Sequence, residues 1–413
     1  MLTMKSFKEL LLILSGFLSY SFSKVICYVP RKKDKWAFGA LGGLRDNPKY
    51  LFYDVIAHHP EINCAWIASN KEDFYFLKSK GMPVYYRHSF KGFWYALTAG
   101  VYVVDHSTAN VSRYLEAGAF YVNLWHGSSV KRVRWQNIEK LLLKYHLKNE
   151  DEMRKSFLVK VRTFLVLFRT PNLCLAPSSI QKKEFFAPMM DIPEDNCVVG
   201  VYPRSRLMIE GKEAAMTFIS KYESEETKSF VLQLQKYRKT FIYMPTWRND
   251  KRDFIEQAGF DWQKLNDVLK QSNSLFILKF HPFTKVNIEN LSKYSNICLY
   301  PKNSDVYTIL PFIDCLITDY SSIYTDFLMM NKEIILYTFD YNEYINGSYE
   351  LAEFDKYFVG KRANDFTELL DVIMSGEDCH VPQEHYDRLM DFYWDNNRSN
   401  IDIAEEIKKR IGL

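Results

Sequence analysis

The sequence predicts an α/β protein made of two doubly wound, Rossmann-like parallel-sheet domains facing a cleft. Three observations predict it. Short apolar, β-branched runs alternate with helical patterns from Lys35 onward, and the rhythm starts afresh after a polar helical segment, Glu210 to Lys239. The polar, small and basic residues suited to chemistry fall just after the apolar runs, where open α/β sheets bind their ligands. With 413 residues, 47% of them hydrophobic, the chain is long enough to bury two cores.

Residues 1–34 read as a membrane-associating segment. Leu10 to Ser23, LLLILSGFLSYSFS, is uncharged between Lys5, Lys8 and Lys24. Its length of about 14 residues falls short of the roughly 20 that a spanning helix needs. It is compatible with a signal peptide's apolar region, with a first core helix, or with a helix lying in the bilayer interface. The last reading is preferred, because the basic run Arg31-Lys32-Lys33-Asp34-Lys35 follows it and everything downstream reads as cytosolic.

The first domain, residues 35–200, opens with the strand KWAFGA, the Gly42-Gly43 loop and a helix start at Asp46-Asn47-Pro48. INCAWIAS, MPVYYR, VYVVDHS, FYVNLWHG, NLCLAPS and NCVVGVYP read as further strands, with helical stretches such as FKGFWYALTAG between them. An amphipathic insertion occupies 130–170. The second domain, 201–385, contributes KTFIYMPTW, SLFILKFHP, NICLYP, DCLITD and EIILYTFD, and 386–413 read as a charged C-terminal helix. A net charge of +4 is too small to imply a nucleic-acid partner. Seven cysteines without a CxxC or Cys/His ligand spacing read as reduced core thiols of a cytosolic protein.

The strand ends carry the candidate chemistry. His126-Gly127-Ser128-Ser129 follows FYVNLW, Thr246-Trp247-Arg248 follows FIYMP, His281-Pro282 follows FILKF, Lys302-Asn303 follows NICLYP, and Asp319-Tyr320-Ser321-Ser322 follows DCLIT. A strand that turns into a helix through Asp-Tyr-Ser-Ser offers backbone N–H groups, a helix dipole and two hydroxyls. With Arg248, Lys279 and Lys302 expected nearby, that is a seat for phosphate. Plain N-capping by serine is the alternative. His126 and His281 are each placed to accept a proton or, when charged, to stabilise a phosphate, and Gly127 allows close approach. His106 is a third candidate. His58, His59, His88, His146, His380 and His385 lack such a setting and read as surface residues. Asp319 and Asp326 lie seven apart, on roughly one helical face. No metal-ligand spacing is visible and no cofactor is expected, with a divalent metal left open.

LWHGSSVKR, YMPTWR, LKFHP and LITDYSSIYTDF followed by IILYTFDYNEY, in this order, resemble the CDP-glycerol glycerophosphotransferases of teichoic-acid and capsule synthesis. The resemblance runs from about Lys35 to Tyr344. It implies a GT-B fold and a CDP-glycerol or CDP-ribitol donor. An acceptor hydroxyl would attack the phosphorus that bears the polyol, and CMP would leave. It implies His126 as general base and His281 as the group that stabilises charge on the transferring phosphate. Thr246, Arg248, Ser321 and Ser322 would hold the pyrophosphate, with Gly127 and Lys302 beside the donor, and Asp319 and Asp326 would orient the loop or touch the polyol. It further implies a peripheral protein on the cytoplasmic membrane face, acting on a lipid-linked glycan. Pro203-Arg204-Ser205-Arg206 and Asn346-Gly347-Ser348-Tyr349 depart from the family's pattern and leave polyol and acceptor open.

Val130 to Thr170 carries eleven Lys and Arg against four Asp and Glu, a net +7. Its cations interleave with Phe and Leu, which suits an anionic bilayer surface. Because Lys131, Arg132 and Arg134 follow His126 directly, they are expected to meet the membrane or acceptor; an ordinary solvated helix face is the alternative. A GT-B sugar transferase and a non-catalytic membrane scaffold are the competing functional classes.

Overall fold

The computed structural model describes residues 14, 17–18, 21–112, 114–128, 148–149, 152, 170–246, 248, 254–280, 291–301, 304–347, 354–396 and 401–413. They divide into two compact units. The first draws on 1–126, 132–204 and 397–413, the second on 127–131 and 205–396.

The first unit is built on seven strands: β1 (Lys32–Gly39), β2 (Asn63–Ala68), β3 (Val84–Tyr86), β4 (Ala99–Val104), β5 (Phe120–Asn123), β6 (Leu173–Ala176) and β7 (Cys197–Val199). They pair in parallel in the order β3-β2-β1-β4-β5-β6-β7. Each is one of the apolar runs read from the sequence. These runs are continuous rather than alternating because a parallel sheet is covered on both faces. On one face Ala37, Ile67, Tyr102 and Tyr121 pack with Tyr95 and Leu97 of the Phe90–Thr98 helix. Ser89 caps that helix by accepting from the Gly92 N–H at 3.0 Å. Phe52, from the Asp46–His58 helix, lies 5.5 Å from Phe38 of β1 and 5.8 Å from Trp66 of β2.

The second unit has six strands: β8 (Lys239–Tyr243), β9 (Ser274–Leu278), β10 (Ile297–Leu299), β11 (Cys315–Thr318), β12 (Glu333–Tyr337) and β13 (Lys361–Ala363). All are parallel, in the order β10-β9-β8-β11-β12-β13. Five were legible as apolar runs. The edge strand β13, Lys-Arg-Ala, is too short and too charged to read as one. Its core gathers Phe241, Leu265, Leu269, Phe276, Ile317 and Ile335 around Tyr243 and Tyr337.

The terminal segment 386–413, read as one helix, is two: Gln383–Trp394 and Ile403–Ile411. The first ends because Asp395 and Asn396 take left-handed backbone angles, φ 55° and 44°. The Trp394 indole donates to Thr325 O at 3.0 Å within the second unit. The second helix belongs to the first unit, where Ile403, Ala404 and Ile407 are buried. His59, read as a surface residue, is buried there, with Glu61, Asp402 and Glu405 carboxylates at 3.4–3.5 Å. Lys408 ties Glu61 and Glu405 at 2.7 Å each.

Residues 14, 17–18 and 21–26 are helical, with Leu14, Phe17, Leu18 and Phe22 exposed. Among the described residues no helix is long and apolar enough to cross a membrane. All seven cysteines are free thiols, and Cys64, Cys174, Cys197, Cys315 and Cys379 are buried.

Truncating Ile407, fully buried under the last helix, removes methyl groups that close packing cannot replace. Ile407→Ala is expected to destabilise the protein by about 2–5 kcal/mol, read as a lowered midpoint in denaturant unfolding.

Candidate active site

Both sheets reverse their strand order next to their first strand, between β1 and β4 and between β8 and β11. At such a point the loops leaving two adjacent strands run in opposite directions and open a crevice. Thr246 and Asp319 lie at the switch point of the second unit, whereas His126 follows β5, one strand beyond that of the first.

In the first unit β4 and β5 pair with Val104 opposite Asn123. The residues that leave them, Asp105-His106 and Leu124-Trp125-His126, therefore leave side by side. The His126 Nδ1 lies 3.3 Å from the Asp105 carbonyl oxygen. A carbonyl only accepts, so Nδ1 carries the proton and Nε2 keeps its lone pair, the tautomer a general base needs. The ring stacks on Trp125 at 4.3 Å, and His106 lies 6.0 Å away. His126 is exposed to solvent as a residue. The protein crowded around the rest lowers its pKa; Asp46 and the Asp105 carbonyl oppose this, and His106 and Arg204 reinforce it.

Trp125 holds a left-handed backbone, φ 54°, unusual for a bulky residue. It is held from both sides. Its N–H donates to Asn123 Oδ1 at 2.9 Å, and its carbonyl accepts from Asn47 Nδ2 at 2.8 Å. Asn47 is buried, and its Oδ1 accepts from the Arg204 N–H at 3.3 Å. The Arg204 guanidinium, also buried, pairs with Asp46 at 2.7 Å. Asp105 is buried beside this group; its Oδ1 accepts from the Leu41 N–H at 2.9 Å and from Asn110 Nδ2. Gly39 makes that approach possible, since a Cβ there would stand 2.8 Å from Asn110 O. Burial first, and the Asp46 charge second, push the Asp105 carboxyl up to about 8.

In the second unit β8 and β11 are neighbours, with Tyr243 opposite Ile317. That register brings Thr246 and Asp319 together. The Thr246 N–H and hydroxyl both donate to Asp319 Oδ1, at 2.8 and 2.7 Å, and the Tyr320 N–H joins them at 2.6 Å. Arg248 completes the site. Its Nη2 reaches Asp319 Oδ2 at 2.8 Å, its Nε and Nη2 grip Asp340 at 2.8 and 3.0 Å, and its Nη1 donates to Thr246 O at 2.7 Å. The guanidinium also faces the stacked rings of Tyr344 and Tyr320, at 4.8 and 5.3 Å. Burial works against the Arg248 charge, but the Asp319 and Asp340 carboxylates outweigh it and the net shift is upward. Burial, then Asp340 and Asp319, push the Tyr320 phenol well above its ordinary range.

Beyond Asp319 the chain turns through Ser321 and Ser322, the latter exposed, into the Ile323–Leu328 helix. Ser322 makes no side-chain cap hydrogen bond, so the N-capping alternative does not describe it. The helix is only six residues long, and the dipole expected to help hold an anion is correspondingly short. Asp326 points into the core, where it accepts from Tyr307 OH at 2.9 Å and Ser205 Oγ at 3.4 Å. Lys279, expected near the phosphate seat, donates to Pro301 O and Ser304 O at 2.9 and 3.1 Å and so braces the loop after β10.

His281, Lys302, Lys131, Arg132 and Arg134 lie outside the described residues. Among the described residues two acidic-histidine groups could hold an ion, His59/Glu61/Glu405 and Glu333/Asp378/His380. Neither includes a residue that follows the carboxyl end of a strand, and Lys408 already neutralises the first. The sequence did not single out Asp340, Tyr344 or Asp105. Asp340 carried a signal, as it follows EIILYTF at another strand end.

The sequence model of the family described as CDP-Glycerol:Poly(glycerophosphate) glycerophosphotransferase matches residues 21–405. The chain is 22% identical over 380 residues to a teichoic acid poly(glycerol phosphate) polymerase of Bacillus subtilis (strain 168), covering 88% of this chain and 47% of that one. It is 25% identical over 229 residues to the teichoic acid ribitol-phosphate polymerase TarK of Staphylococcus aureus (strain NCTC 8325 / PS 47), 55% of this chain and 43% of that one. The chain thus spans less than half the length of these curated polymerases. A teichoic acid glycerol-phosphate transferase of the same S. aureus strain is 23% identical over 337 residues, 79% of each chain. Among solved structures, the wall teichoic acid polymerase TagF superposes with a TM-score of 0.68 at 18% identity over 98% of both chains, a likeness of fold.

Two outcomes test the polar frameworks. Asp105→Asn keeps an acceptor at Oδ1 and removes the titration. An aspartate raised from 3.8 to about 8 on folding weakens the fold progressively between those values as pH rises, and no further above them. Wild type should therefore lose thermal stability relative to the variant from about pH 4 to pH 8, and the gap should then stay constant. Arg248→Ala leaves the buried Asp319 and the half-buried Asp340 without their cation. It is expected to cost about 3–5 kcal/mol in chemical unfolding.

Proposed function

The chain belongs to the CDP-glycerol:poly(glycerophosphate) glycerophosphotransferase family, and from that premise we propose that it transfers glycerol phosphate from CDP-glycerol, or ribitol phosphate from CDP-ribitol, to a hydroxyl of a membrane-linked glycan or polyol-phosphate acceptor. The observation that carries the reading is His126, with Nδ1 on the Asp105 carbonyl and Nε2 left as an acceptor.

In this reading the acceptor oxygen attacks the phosphorus that bears the polyol, and the bond from that phosphorus to the CMP oxygen breaks. His126 Nε2 takes the acceptor's proton as the new P–O bond forms. Donors aimed at the developing charge supply most of the acceleration in such sites. The Ser321 and Ser322 hydroxyls, Gly127, Lys302 and His281 fill that role here. Thr246 and Arg248 act one step back: their polar groups are largely engaged with Asp319 and Asp340, so they fix the turn that presents Ser321. Asp326 anchors the following helix from below through Tyr307. The exposed apolar residues of the N-terminal helix and the basic segment with Lys131, Arg132 and Arg134 would hold the protein at the cytoplasmic membrane face, next to a lipid-linked acceptor. A sugar transferase would share both sheets; the family match, which spans LWHGSS and ITDYSS, favours polyol phosphate.

The test is release of CMP by the purified protein, supplied with a lipid-linked disaccharide and, in parallel, CDP-glycerol, CDP-ribitol and nucleotide sugars. Acceptor-dependent CMP from one CDP-polyol is the expected result, and a nucleoside diphosphate from a sugar donor would overturn the reading. His126→Ala should lower turnover at least ~100-fold with donor affinity retained. A base acts only when neutral, and the His126 pKa is lowered from 6.5. The acid limb of kcat/KM should therefore fall below that value, with the rate holding to more acidic pH than an ordinary histidine allows.

A further inference from the structure

We propose that the first unit carries a second binding site, a cavity for one anionic lipid, with its hydrocarbon tail between the N-terminal helix and the Phe90–Thr98 helix and its headgroup on Arg87. The inference stands on the geometry of this unit and does not depend on the reaction proposed above.

The cavity holds about 650 Å³, within the range of small-molecule pockets. Leu18, Phe22, Phe93, Ala96, Val111 and Leu115 give it a mostly apolar wall. That wall is unusual in one respect, because Arg87 and His88 also line it. The Arg87 Nη2 donates to the Asn110 carbonyl oxygen. Its Nε is sealed from solvent and, among the described residues, has no hydrogen-bond partner. Among the described residues no carboxylate pairs with it, and burial, with nothing to oppose it, lowers its pKa. A cation held against an apolar cavity without a counter-ion is a cost the fold carries unless something supplies the anion.

A tail alone would leave Arg87 unanswered, and a free anion would leave the apolar wall wet. A molecule with both parts answers both. The open side of the cavity points the same way. Phe90, 80% exposed, and Trp94, 54% exposed, flank Phe93 at helical spacing on one helix. Leu18 and Phe22 expose nearly half their surface across the cavity, and Phe22 lies 6.4 Å from Tyr114. Large aromatic side chains exposed around an apolar opening suit the boundary of a bilayer, from which a lipid tail could enter.

The probe is dodecyl phosphate below its critical micelle concentration, titrated into the full-length protein and followed by calorimetry. Inorganic phosphate and the neutral dodecyl maltoside are the comparators. Saturable one-to-one binding of dodecyl phosphate is expected, at least tenfold tighter than either comparator. Arg87→Gln should weaken it at least tenfold by removing the charge. Ala109→Trp, at another wall position, should do so by filling the space, and cooperative thermal unfolding checks that each variant folds. Equal binding of phosphate alone would reduce the site to an anion contact, and equal binding of the maltoside would reduce it to an unselective groove. Either overturns the proposal, as does dodecyl phosphate binding that neither folded variant weakens.

Discussion

A parallel sheet delivers all its strand ends to one edge, and that edge is where the chain must turn while still partly buried. Backbone and side-chain polar groups that leave adjacent strands there have little water to bond, so they must match one another. The two units meet this constraint differently. The first uses mostly neutral groups: Asn47, Asn110 and Asn123 distribute hydrogen bonds among carbonyls, N–H groups and Asp105. The second uses charge, with one guanidinium set between two carboxylates and backed by two tyrosine rings.

That difference suits the tasks assigned to each end. A base must remain neutral to accept a proton, and around His126 the Asp46 and Arg204 charges act in opposite senses while burial favours the neutral ring. A seat for pyrophosphate must hold its shape against a highly charged ligand. A salt-bridged turn resists displacement better than a loop held only by hydrogen bonds, because moving Arg248 would strand Asp319 without its counter-charge. Asp319 is thus a structural acceptor for Thr246, Tyr320 and Arg248 together, and the serines that follow it inherit its position.

Much of this was legible in the sequence. Twelve of the strands announce themselves as apolar runs, since burial on both faces leaves no room for polar alternation. The rule that function follows strand ends then picks out His126, Thr246, Arg248 and Asp319 without further information. What pattern could not supply was pairing. Asp105 and His126 are 21 residues apart and Arg248 and Asp340 are 92 apart, and only the strand order makes them neighbours. Nor could periodicity name Tyr307 as the partner of Asp326, or show that Asp395 breaks the terminal helix so that its last part joins the first unit. Those outcomes depend on long-range packing and on single backbone angles, to which local composition is blind.

Trp125 shows where competing demands meet. Its left-handed backbone would suit glycine or asparagine better, and a selection for thermal robustness alone would drift toward them. Either replacement would take away the indole on which His126 lies. The tryptophan therefore marks a position at which robustness and activity favour different residues. In a laboratory screen for hardier variants, changes at 125 should rise among the survivors and be lost again once turnover is also required.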